Sequence, residues 1–176
     1  MACSFSDDIA SERGFIVSKT LTSPIGYNGM KNPILECLAD QISHDQTWSD
    51  EKMSGSILGS KIISALNQDI IQWPQNNQEI ISKEKWIWLM KIDQGFYVER
   101  SRDDQEMKCQ ERILLGLAAK YLKRKITLIP FFEEDKDDIF FPTQKDLNHE
   151  VSKDSYYLLS CNNAGNQNFF ASIFLK

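Results

Sequence analysis

The sequence lacks a long uninterrupted apolar run, carries no basic excess, and has only two histidines and four scattered cysteines. Each shortage removes a class of protein. Without about 20 consecutive apolar residues, no segment reads as a membrane-crossing helix. Residues 1–8 have neither a basic region nor an apolar stretch, so they do not read as a secretory leader. Cys3, Cys37, Cys109 and Cys161 show no close pairing and form no CxxC. A reduced chain is the better expectation than a disulfide scaffold. His44 and His149 have no neighbouring ligand pair, so neither a metal nor a cofactor is expected. A net charge of −5 argues against nucleic acid as a partner. Lys120, Lys123, Arg124 and Lys125 form the compact basic cluster, but they follow an apolar helical segment, where positive charge suits a helix C-terminus. A cytoplasmic protein is expected, with the nucleus as a second location, and no membrane association.

What is present suits one packed domain. At 176 residues, with 41% hydrophobic and 26% charged, the chain can bury one substantial core. Residues 1–31 hold a short apolar run, Phe15 to Val17, and a turn-prone stretch around Pro24, Gly26, Asn28 and Gly29. A helix is predicted over 32–43, with Asn32 as N-cap, Pro33 in the first turn and Ile34, Leu35, Leu38 and Ile42 as its apolar stripe. Further helices are predicted over about 53–71, 82–91 and 106–124. The acidic run 133–138 reads as a solvated loop. Strands are predicted over 126–132, 156–161 and 169–175, the last two joined by a polar loop. The fold class is α/β or α+β: helices packed around a small sheet, with a C-terminal β-hairpin.

Two segments carry a family resemblance. The chain reads Met30-Lys31-Asn32-Pro33-Ile34-Leu35 and then Cys37-Leu38-Ala39-Asp40-Gln41-Ile42; near its end it reads Phe169-Phe170-Ala171-Ser172-Ile173. This order resembles the ovarian-tumour (OTU) type cysteine proteases. There Asp-Gly-Asn-Cys-Leu-Phe precedes a helix often reading Ala-Leu-Ala-Asp-Gln-Leu, and His-Tyr-Asn or His-Phe-Asp opens a late strand. The resemblance implies one papain-type OTU-like domain over 15–176, after an N-terminal segment 1–14. Aligned without a gap, Met30 falls at the family aspartate, Pro33 at the nucleophilic cysteine, Phe169 at the histidine and Ala171 at the polar orienting residue.

Those residues cannot perform the family's chemistry. A cysteine hydrolase needs a thiolate, a base to take its proton and a third group to orient the base. Proline supplies neither thiol nor backbone donor, and phenylalanine accepts no proton. The resemblance therefore implies a non-catalytic protein-interaction domain, a pseudo-deubiquitinase. Its partner would be ubiquitin, a ubiquitin-like modifier or an unrelated protein. Two alternatives stay open: a divergent deubiquitinase with Cys37 or Cys109 as displaced nucleophile, or a structural assembly subunit. Cys37 lies one turn into the helix beside Leu38 and Ala39, which favours a buried thiol. His44 could act as base only if its loop folded back toward Cys37, and His149 with Asp154 is expected as a solvated loop pair. Glu36 and Asp40 are expected as exposed polar contacts. Trp86 and Trp88 are about 200° apart around a helix, so both cannot be equally buried. Trp88, with Tyr97, is the candidate partner-binding anchor.

Overall fold

Capping chemistry sets where the first helix begins. In the computed structural model, which describes residues 10–22, 32–45, 53–93, 104–130, 136–142, 155–162 and 168–176, helix α1 runs Pro33–Ser43. Asn32 is extended, and its Oδ1 accepts the Leu35 N–H at 3.1 Å. Pro33 takes the first helical position, where the missing N–H costs nothing. Ser54 caps α2 (Gly55–Asn67) by accepting the Ile57 N–H at 3.2 Å. The single turn α3 (Gln75–Gln78) follows. Ser82 then caps α4 (Lys83–Asp93) through the Lys85 N–H, and α5 spans Asp104–Leu122.

Helix α2 stops four residues before its apolar spacing would predict. Asp69 adopts φ 55°, and the Ile70 N–H closes on the Ala65 carbonyl at 2.9 Å. This left-handed closure turns Ile70 out of the helix, leaving it 68% exposed. Helix α5 ends in the same way, with Lys123 at φ 53° and the Arg124 N–H on the Ala119 carbonyl.

The strands are β1 (Phe15–Thr22), β2 (Ile126–Pro130), β3 (Asp138–Phe140), β4 (Tyr156–Asn162) and β5 (Asn168–Leu175). They form one mixed sheet in the order β1-β5-β4-β2-β3. β4 and β5 are antiparallel, with Tyr157 opposite Ile173 and Asn162 opposite Asn168. β2 lies parallel to β4, whereas β1–β5 and β2–β3 are antiparallel. The domain is therefore a mixed α/β structure of the α+β kind. Two strands were not legible in the sequence. Phe15–Val17 is the start of an eight-residue strand, and the last residue of the supposed acidic loop opens β3.

Alternation along the strands divides the interior into two cores. Ile126, Leu128, Tyr156, Leu158 and Phe170 face the helices, where they meet Leu38, Leu66, Trp86 and Leu114. Phe15, Ile129, Leu159, Ala171 and Ile173 form the smaller core on the other side. Ala10 joins this second core, 1% exposed, and the Lys176 N–H bonds the Gly14 carbonyl at 3.0 Å. The packed unit thus reaches back before Phe15. Among the described residues, no helix is long and apolar enough to cross a membrane.

Candidate functional site

The C-terminal half of α1 is fastened to the sheet by one amide. Gln41 Nε2 donates to Ser172 Oγ at 2.6 Å and to the Ile173 carbonyl at 2.9 Å. Its Oε1 accepts the Tyr157 N–H at 3.3 Å, so one side chain bonds both β4 and β5. The His44 ring lies 4.9 Å from that of Phe174. Moving forward from Gln41 to His44 therefore moves forward along β5, and the helix and strand point the same way. Pro33 lies eight residues before Gln41, about 12 Å of helix, which equals roughly three to four residues of strand.

The residues of β5 that face α1 are Phe170, Ser172 and Phe174. Ala171, expected at the position of a polar orienting group, is buried in the smaller core on the opposite face. Phe169 belongs to β5, with its backbone opposite Cys161 and Thr22; its side chain, like those of Cys109 and Cys161, lies outside the described part. Met30, Tyr97, His149, Asp154 and Cys3 also lie outside the described residues.

Cys37 is fully buried in the helical core. His44 is exposed, with Nδ1 2.8 Å from the Asp40 carbonyl. It sits seven residues further along the same helix end, and no thiol–imidazole pair forms between them. The basic cluster is divided in its roles. Arg124 bonds Asp45 Oδ2 at 2.8 Å and stacks on the Tyr156 ring, while Tyr156 Oη donates to the same carboxylate at 2.7 Å. Lys123 provides the left-handed turn, and Lys120 is half-buried, its pKa lowered by desolvation. Trp86 has no exposed surface and packs 5.6 Å from Trp73, whereas Trp88 is 50% exposed.

Polar groups collect where α1 and α2 begin. Glu36 is 5% exposed rather than solvated, because its Oε1 accepts the Gly55 N–H at 3.0 Å. That contact requires glycine: a Cβ at position 55 would lie 2.5 Å from Oε1 and 2.9 Å from the Glu36 nitrogen. Beside it is a cavity of about 210 Å³. Its polar wall comes from Asn32, Ser56, Ser60 and Lys91, and its apolar wall from Leu35, Ile63 and Met90. Asn32 is 4% exposed, and its Nδ2 has no hydrogen-bond partner. The capping bond to Leu35 fixes Oδ1, so the unpaired group is the amino end of the amide. Sequence reasoning missed the roles of Gln41 and Glu36. For Gln41 a signal existed, since it interrupts the apolar stripe of α1; for Glu36 none did, because its partner is nineteen residues away in the chain.

Among the described residues, no group of three or more His, Cys, Asp or Glu converges as a metal site would. No protein-family model matches the chain, and no curated protein is significantly similar to it.

Proposed function

We propose that the chain is a non-catalytic protein-interaction domain on an OTU-like, papain-type scaffold. The observation that carries this reading is Pro33 at the first position of α1, fixed by the Asn32 cap and buried. In a papain-type hydrolase that position holds the thiol, where the helix N-terminus stabilises the thiolate and a backbone N–H meets the oxyanion. Here the residue offers neither. The strand beside the helix is equally inert on its near face, since Phe170 and Phe174 accept no proton and the Ser172 hydroxyl accepts from Gln41. The conclusion does not depend on whether the strand is aligned on Phe169 or one residue later.

A protein partner is favoured over a small substrate by Trp88. A half-exposed tryptophan on a helix whose other tryptophan anchors the core is a typical interface anchor. Ubiquitin, a ubiquitin-like modifier and an unrelated protein all remain partners for test, and a cytoplasmic or nuclear setting fits each.

The test is a ubiquitin-derived electrophilic probe followed by intact-mass measurement of the purified chain. No thiol adduct is expected. A stoichiometric adduct that disappears in Cys37→Ala or Cys109→Ala would establish a displaced nucleophile and overturn the reading. With a partner in hand, Trp88→Ala should weaken binding by about tenfold or more, the effect of removing an interface anchor.

A further inference from the structure

We draw no further inference here: the strongest candidate, the surface patch that Ile139 and Phe141 expose at the β3 edge of the sheet, carries nothing because nothing among the described residues shows what covers it.

Discussion

The two ends of α1 are built on opposite terms. At the C-terminal end long-range polar contacts tie the helix to the sheet: Gln41 bonds two strands, and Asp45 receives both Arg124 and Tyr156, although Asp40 Oδ2 is buried without a hydrogen-bond partner. At the N-terminal end a proline occupies the first position, a buried amide is left without an acceptor, and a cavity opens beside it. One end is held by partners distant in the chain and the other by its own local cap. That difference predicts where the loss of one side chain should cost the most.

The largest effect should come from the anchored end. Arg124 and Asp45 are 13% and 12% exposed as side chains, so removing one partner strands a largely desolvated charge. Arg124→Met should lower unfolding stability in urea by about 3–5 kcal/mol. The double variant with Asp45→Asn should lose less than the single, because no carboxylate is left without its counter-charge. Equal losses would mean that the ion pair contributes only its packing.

Gln41→Leu should come next, at about 2–3 kcal/mol. Leucine fits the apolar surroundings but leaves the Tyr157 N–H and the Ile173 carbonyl without the amide that bonds them. Hydrogen exchange should report the loss at Tyr157 before it appears at the start of α1.

The same contrast explains what could be read in advance. The C-terminal hairpin strands, the start of α1 and the core of α5 were legible because apolar spacing and local caps specify them without help from distant residues. That Trp86 and Trp88 are unequally buried also follows from helical geometry, although which of them turns inward does not. What escaped depends on long-range partners. β1 becomes a strand by pairing with β5 at the far end of the chain, and β3 by pairing with β2. Glu36 looks like a surface carboxylate until α2 arrives to present Gly55. The end of α2 was misjudged because Ile70 keeps the helical rhythm while Asp69 breaks the backbone. The alternation of β5 puts Ala171 away from α1, which no linear motif comparison could reveal.

At the locally capped end, the capping oxygen and the amino group of Asn32 should separate. Asn32→Ala removes the cap and should cost about 1 kcal/mol, whereas Asn32→Ser keeps a capping oxygen and should stay within about 0.5 kcal/mol of the parent. Thermal unfolding checks the two directly. If serine cost as much as alanine, the amino group would be contributing to the fold through packing, and the capping oxygen alone would not account for what holds this end.

The smallest effect concerns Lys120, one turn before the Arg124 that anchors Asp45. Arg124 meets a carboxylate, whereas burial alone depresses the Lys120 pKa below its usual 10.5. Between the lowered folded value and 10.5 the unfolded chain binds more protons than the folded one, so stability rises with pH across that window. Below it the protonated lysine is held at a small penalty; above 10.5 it is neutral in both states and the penalty is gone. Lys120→Met should therefore stabilise the chain at neutral pH, by less than about 0.5 kcal/mol because the side chain keeps contact with water. The advantage should shrink as urea unfolding is repeated toward pH 10.5. A gain independent of pH would assign the effect to methionine packing, and a loss at neutral pH would mean that the lysine, like its neighbour Arg124, helps hold the anchored end.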